Sequence, residues 1–488
     1  MLATTVNTQR PLPVLEDYEL SPLYGFIPHE VPLERLPQSY YQPWENIADR
    51  LIELIQSKKL RDEVHQLPLL DVDQLETVRE QRRAYQVLGF LSHSYLWGDK
   101  DKPTPQSLPA ALAVPWTRVA DQLGIPPILT YAATDVWNWT LKDKKGPFEL
   151  ENLKTLFTMT GTPDEDWFYI VATAVEMAGG AAMKPLLAAV EAARAHDATT
   201  VRRHMAEALT HLQRVAGLLS RMFEHCDPAV FYWQIRPFIQ GTEHNPALGL
   251  LDGLAYEGVN GGERKQFMGT TAGQSSLFPA LDIFYGIDHD PNPPSSKTSS
   301  ESANGSSSSS STASTTNDSS KSLVARKNRH PLLYKMKQYM PGPHRAFLDH
   351  LAEVANLRDY VEQYGDANPD LVQVYNASVA QIQEFRSIHI RVATRYVVMQ
   401  AKRGPPPSMA LTSNGQPSGP ATAVAATTAT PTPQQKQQQQ DDKKNKTQTH
   451  DDEADTTKDG AGVKGTGGSD LVVFLRGLRD ETTASKFA

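Results

Sequence analysis

The sequence predicts an all-α fold, with a small helical domain packed on a larger helical domain. Apolar residues recur at three- and four-residue spacings over most of the 488-residue chain, which is the pattern of a helix with one buried face. Alternation of apolar and polar residues, the mark of a half-buried strand, is missing from the first part of the chain. Glycine and proline punctuate the chain between periodic stretches, as helix stop signals do.

Taken in order, residues 1–152 make the small domain. Met1 to Ser39, rich in Pro, Leu and Glu, is expected to wrap over the surface. Pro43 to Ser57 predicts a helix with Trp44, Ile47, Leu51 and Ile55 on one face, and Arg61 to His65 a short turn. Asp71 to Trp97 predicts a long helical region carrying Leu75, Val78, Tyr85, Val87, Leu88, Leu91 and Tyr95, stopped by Gly98. Pro103 to Ala113 is a proline-punctuated link. Trp116 to Leu123 is short and amphipathic, and Gly124-Ile125-Pro126-Pro127 ends it. Ile128 to Leu141 then brings Leu129, Tyr131, Val136, Trp137 and Trp139.

Residues 153–402 make the larger domain. Pro163 to Ala195 is helical and dense in small residues, Thr199 to His225 is strongly amphipathic, and Pro228 to Ile239 is an aromatic helix. Gly241 to Gly262 is irregular, and Ser275 to Tyr285 is helical again. An insert at about 288–327, with a serine run at Ser306 to Ser311, cannot bury enough apolar surface to order itself. Helices resume at Leu332 to Tyr339, His344 to Val361 and Pro369 to Gln400. Residues 403–463 form a second low-complexity tract, a linker to residues 464–488, where a glycine-rich loop precedes a short helix from Asp470 to Leu478. There is no internal repeat.

Composition narrows the function. A formal charge of -8, from 48 Lys and Arg against 56 Asp and Glu, argues against a nucleic-acid or anionic-membrane surface. Hydrophobic content is 39%, and the two polar tracts account for the shortfall from an ordinary globular chain. Cys226 is the single cysteine, so no disulfide framework can form, which fits a reducing compartment. No signal peptide is legible at Met1 to Pro11. The most apolar run, Tyr169 to Val190, is interrupted by Glu176 and Lys184 and suits a buried helix better than a membrane span. A cytoplasmic protein is expected.

One stretch carries possible chemistry in its own pattern. Tyr375, Val379, Ile382, Phe385, Val392 and Tyr396 form a core-facing stripe, and His389 falls where that stripe expects an apolar residue. Arg386 lies one turn earlier. The pair could be an axial haem ligand beside a partner for a haem carboxylate; a core histidine satisfied by a hydrogen bond remains the alternative. The aromatic helix Phe231-Tyr232-Trp233-Gln234-Ile235-Arg236 offers a ring wall and a guanidinium on one side, suited to an aromatic amino acid. An aromatic core helix with a snorkelling arginine stays open. No His-Glu-x-x-His, Cys-x-x-Cys, P-loop or nucleophile elbow is present.

Seven separated motifs resemble the indoleamine 2,3-dioxygenase family, in a fungal-type form with long inserts. They are Leu88-Gly89-Phe90 through Trp97-Gly98, Pro126 to Ala132, Tyr256-Glu257-Gly258, Phe267 to Ser276, Tyr339 to Arg345, Arg386-Ser387-Ile388-His389 and Gly465 to Asp470. The resemblance implies a haem b, one per chain and ferrous when active. It further implies cleavage of the indole C2–C3 bond of L-tryptophan, and of other indoleamines, with O2 to give N-formylkynurenine, the first step of the kynurenine pathway towards NAD. A reductant for the iron and a monomeric state go with it. By motif, His389 would be the iron ligand, Arg386 would pair with a haem propionate, and Asp282 would stand near the histidine. Arg236 would hold the substrate carboxylate and Phe231 would pack on the indole. Tyr131, Thr134, Phe168, Tyr169 and Ala172 would line the distal pocket, Gly269, Thr270, Thr271 and Ala272 would border the substrate, and Thr466 would ride on a mobile lid. His344 is read as structural.

The sequence departs from the family at Ala172, where relatives carry serine or histidine, so no side-chain base is expected there. Thr134, Tyr169, Thr270 (for a common glycine) and Ser469 (for threonine) are further departures. Ala172, Thr270 and the inserts motivate an alternative function: a haem-binding sensor or signalling scaffold with little turnover.

Overall fold

The computed structural model describes residues 10–243, 245–289, 330–407 and 471–488. The glycine-rich loop, Thr466 and nearly all of both low-complexity tracts lie outside them. Helices of six or more residues are α1 (Gln42–Asp49), α2 (Leu51–Gln56), α3 (Leu60–His65), α4 (Val78–Trp97), α5 (Ala110–Leu123), α6 (Pro163–Gly180), α7 (Met183–Arg194) and α8 (Ala198–Ser220), then α9 (Leu277–Phe284), α10 (Pro331–Lys337), α11 (Gly342–Val354), α12 (Leu357–Tyr364), α13 (Pro369–Ala393) and α14 (Leu471–Ala484). The fold is all-α, as the periodicity predicts. Five short strands are added: β1 (Ser107–Leu108), β2 (Thr140–Leu141), β3 (Leu153–Lys154), β4 (Leu254–Tyr256) and β5 (Arg264–Lys265). β2 and β3 pair antiparallel, and β4 lies between parallel β1 and antiparallel β5. Two- and three-residue strands are too short to show an alternating pattern.

Helix ends follow local chemistry. Thr77 and Glu80 close a capping box that starts α4 at Val78 rather than at Asp71. Thr162 caps α6, whose first turn holds Pro163, Asp164, Glu165 and Asp166, all favourable at the positive end of a helix. Asp197 caps α8. Several stretches expected as one helix are broken. Residues 43–57 divide at Arg50, 163–195 between Gly180 and Met183, and 344–361 at Ala355 and Asn356. The second break has a visible cause. The N-terminal segment crosses the helix there, and a Cβ on Gly180 would stand 2.1 Å from the Tyr24 carbonyl oxygen. α5 begins earlier than expected and takes in Pro115.

The largest apolar cluster joins Trp44, Tyr85, Trp116, Trp137 and Trp139 to Ile170, Val171, Phe231 and Tyr396, so it runs across residue 152. A second unites α7, α8, α9, α11, α12 and α13, together with Leu15, Leu20 and Phe26 from the N-terminal segment. That segment therefore wraps the surface and also supplies core. α6 together with α7, Pro163 to Arg194, is long and apolar enough to cross a membrane, but 78% of its apolar window is buried inside the fold, as in a core helix. His344 is buried in the second region, near the Ser276 hydroxyl and edge-on to Phe26. α6, α8 and α13 meet at a small cluster of Val175, Val215, Leu219, Phe385 and Ile388, on one side of a large cavity.

Candidate active site

The cavity holds about 750 Å³ and is lined by parts of both halves of the chain. One wall is α13 and the π-helical turn Thr394–Val398 that continues it. Phe385, Arg386, His389, Val392, Ala393, Tyr396 and Val397 line the cavity there. Tyr396 is anchored by donating to the Cys226 carbonyl at 2.6 Å. His389 lies in the stripe one turn after Phe385, at 6.0 Å between ring centroids, and Phe385 stacks on Phe278 at 3.9 Å. No hydrogen bond to the His389 ring occurs among the described residues, and its open surface is the cavity. Burial, helped by the nearby Arg386 charge, pushes its pKa down to about 4, so the imidazole is neutral with a lone pair available. A neutral imidazole between apolar walls is the donor that a haem iron takes from a protein. Among the described residues no group of three or more His, Cys, Asp and Glu could hold an ion, so a metal on His389 would need a macrocycle for its remaining donors. The cavity and His389 fit such a group.

Arg386 and Asp282 come together. Arg386 Nη2 donates to both Asp282 oxygens, at 2.8 and 2.7 Å, and Nη1 donates to the Thr482 hydroxyl on α14. His289 bridges Asp282 at 2.9 Å and Glu481 at 2.6 Å, so both ring nitrogens face carboxylates. Burial pushes the Asp282 carboxyl up, but Arg386 and His289 outweigh it and hold it below its usual range. Asp282 is thus tied to Arg386 and His289, with no bond to His389 among the described contacts. A propionate on Arg386 would have to share a guanidinium already engaged with the chain. The sequence did not reveal His289 or the C-terminal contacts, which join residues about 100 or more positions apart. The stripe Leu471, Phe474, Leu475 and Leu478 on α14, which also lines the cavity, was legible as helical spacing but not as a wall of the site.

Another wall starts at the aromatic segment. It is Pro228–Val230 in α form, Phe231–Ile235 in a π turn and Arg236–Ile239 in a 3-10 turn, instead of one regular helix. In the π turn the Arg236 N–H donates to the Phe231 carbonyl, five residues back. This puts Phe231 and Arg236, and neither Tyr232 nor Trp233, on the cavity. Tyr232 instead packs under the guanidinium, with its ring 5.0 Å away. The aromatic wall is Phe231 with Phe168 at 4.7 Å and Tyr396 at 5.7 Å. Tyr131, Phe168, Ala172, Thr270, Thr271 and Ala272 line the cavity. Thr134 and Tyr169 are fully buried and do not line it.

Gly269 is set back from the lining, where its backbone meets that of the segment after the aromatic turn. A Cβ there would stand 2.6 Å from the Ile239 carbonyl oxygen, and Thr270 N donates to that oxygen at 3.0 Å. The Thr270 hydroxyl donates to the Leu129 carbonyl at 2.6 Å, which turns it towards the distal turn. Gln274 ties the same loop to the Tyr131 N–H at 3.0 Å.

Two buried acids escape a sequence reading. Glu176 accepts from the Tyr131 hydroxyl at 3.1 Å and from Ser275, and burial raises its pKa to about 7. Asp135 lines the cavity beside Tyr131, and burial pushes its carboxyl well above the usual range. Nothing in spacing singles out either one. The partners of Glu176 lie on other segments, and it reads in sequence only as a break in an apolar run.

The described geometry accords with comparisons to known proteins. The family model for indoleamine 2,3-dioxygenase matches residues 14–485. An indoleamine 2,3-dioxygenase, nanC, of Aspergillus nanangensis is 32% identical, with 96% of each chain covered. That of Saccharomyces cerevisiae is 35% identical over 80% of this chain and 81% of its own. A 6-hydroxytryptophan 2,3-dioxygenase, fscD, of Fusarium equiseti is 31% identical over 96% of this chain and 97% of its own.

Proposed function

The chain belongs to the indoleamine 2,3-dioxygenase family and is an oxidoreductase of the dioxygenase type, and from that premise we propose that it binds one haem b on His389 and cleaves the indole C2–C3 bond of L-tryptophan with O2, giving N-formylkynurenine. The observation that supports this best is the neutral His389 imidazole on one wall of the cavity, with Phe231 and Arg236 on another. Haem, when bound, supplies the redox-active iron that O2 chemistry requires. The chain's own residues bind and orient. His389 would hold the iron through the lone pair of its neutral imidazole. Arg236 holds the substrate carboxylate by charge-assisted hydrogen bonds. Phe231 and Phe168 pack on the indole and, with Val175 and Tyr396, keep water away. Ala172 offers no proton and no acceptor, so no protein base takes part at that position. We take the protein to be a cytoplasmic monomer that draws electrons from an external reductant and opens the kynurenine route towards NAD.

The test is an aerobic assay of reduced, haem-loaded protein with L-tryptophan, read as the near-ultraviolet absorbance of N-formylkynurenine. His389→Ala is expected to lose the Soret band. Arg236→Leu is expected to keep it and to raise the tryptophan requirement by on the order of a hundred-fold, the scale of a lost charge-assisted contact. A Soret band with no product would favour the sensor. Unchanged turnover in the arginine variant would remove the role given to Arg236. A second reading, in which the preferred substrate is a hydroxylated tryptophan, is supported by the similarity to the Fusarium equiseti enzyme.

A further inference from the structure

Tyr131, Phe168 and Ala172 line the cavity together with one acid from the same turn as Tyr131, Asp135. It sits in a π-helical turn, Ala132–Val136, packed on α6, where its backbone carbonyl accepts from the Thr173 hydroxyl at 2.7 Å. Its side chain is shielded from bulk water, with the residue 3% exposed. Oδ2 is engaged with the Thr134 hydroxyl at 2.5 Å, and that hydroxyl also reaches the Thr130 carbonyl at 3.3 Å. A chain of donors running from Asp135 Oδ2–H through Thr134 to the Thr130 carbonyl satisfies all three groups when the acid is protonated. Oδ1 has no partner among the described contacts. Unlike Glu176 Oε2, it is not sealed in the interior without one, so it is the atom left to face the cavity.

A lone acceptor in an apolar pocket costs affinity for a ligand that cannot meet it and adds affinity for one that can. Arg236 follows the aromatic turn, Asp135 lies in the turn that packs on α6, and both line the cavity. Asp135, Arg236 and the packed rings of Phe231 and Phe168, 4.7 Å apart, line one cavity, so a substrate whose carboxylate is held at Arg236 and whose ring lies against this aromatic pair shares that space with Asp135. Resting on the dioxygenase reading above, we propose that Asp135 is a specificity-determining residue whose free oxygen accepts a hydrogen bond from a hydroxyl on the benzo ring of a hydroxylated tryptophan.

The experiment compares kcat/KM for L-tryptophan, L-5-hydroxytryptophan and L-6-hydroxytryptophan in the haem-loaded wild type, Asp135→Val and Asp135→Asn. It also measures calorimetric binding of the same three compounds. Asp135→Val is expected to lower the ratio of the better hydroxylated substrate to tryptophan by about ten- to a hundred-fold, in turnover and in binding. Asp135→Asn keeps an acceptor oxygen and a donor towards Thr134, and should retain the wild-type ratio, which separates recognition from a fault in folding. An unchanged ratio in the valine variant would overturn the proposal. So would an equal loss on all three compounds, which would assign Asp135 to the ring N–H or the ammonium group. If the wild type turns over none of them, the dioxygenase reading fails, while the binding ratios still decide the role of Asp135.

Discussion

Glu176 sits fully buried between Tyr131 and Ser275, and the placement makes stability depend on pH. Burial lifts its folded pKa from 4.5 to about 7, while the unfolded chain ionises it near the ordinary value. A raised folded pKa stabilises the fold fully below 4.5, and that contribution disappears as pH rises through about 7. The span corresponds to on the order of 3 kcal/mol. Glu176→Gln keeps an acceptor for both hydroxyls and cannot ionise. It should therefore be more stable than the wild type at pH 8 by up to that amount, with the advantage fading towards pH 5. Urea unfolding at the two pH values reads it, and a difference that does not vary with pH would refute it. At this scale the sequence showed His389 because a polar residue interrupted an apolar stripe, and Arg236 because a charge sat in an aromatic run. Glu176 interrupts an apolar run in the same way, but what makes it matter is a pair of hydroxyls 45 and 99 residues away, which spacing cannot show.

Among the elements, α13 and α14 are locked by the cluster of Arg386, Asp282, His289, Thr482 and Glu481. Burial alone would lower the pKa of His289, but Asp282 and Glu481 outweigh it and raise it, so its contribution is present below the ordinary histidine pKa and lost as pH climbs through the folded value. Asp282→Asn would leave the buried Arg386 guanidinium without its anion and take from His289 one of its two carboxylate partners. Removing one member of a buried ion pair costs about 3–5 kcal/mol. The expected result is a lower Tm together with faster amide exchange in α14 at residues 471–484, the helix that closes one side of the cavity. A lower Tm with α14 exchange unchanged would show that the cluster does not hold this helix. Helices as such were legible because a 3.6-residue period survives any tertiary arrangement. Their breaks were not. The one after Gly180 follows from a backbone crossing by Tyr24, and the π turn at Phe231 reassigns which aromatic residues face the cavity.

In the whole molecule, the site is closed by contacts between residues on either side of position 152. His93, neutral because burial pushes its pKa down to about 4, meets the Phe238 carbonyl at 2.7 Å and accepts from the Leu129 N–H at 3.0 Å. It thus fixes the segment after Arg236 against the distal turn. Thr270 on the Leu129 carbonyl, Gln274 on the Tyr131 N–H and Tyr256 on the Pro127 carbonyl at 2.6 Å repeat the same connection. The sequence reading divides the chain into two helical domains near residue 152, but no local pattern could show that the largest core runs through both. Ile170, Val171, Met177, Phe231 and Tyr396 pack into one cluster with the tryptophans of the first part. Uncovering such side chains costs about 1.5–3 kcal/mol each, so five of them approach the whole 5–15 kcal/mol that holds a typical protein folded. Residues 153–488 expressed alone should therefore lack near-ultraviolet circular dichroism and fail to bind haem, and the intact chain should melt in a single calorimetric transition. Two separated transitions, or a fragment with native-like aromatic signals, would mean that the larger part folds without the smaller.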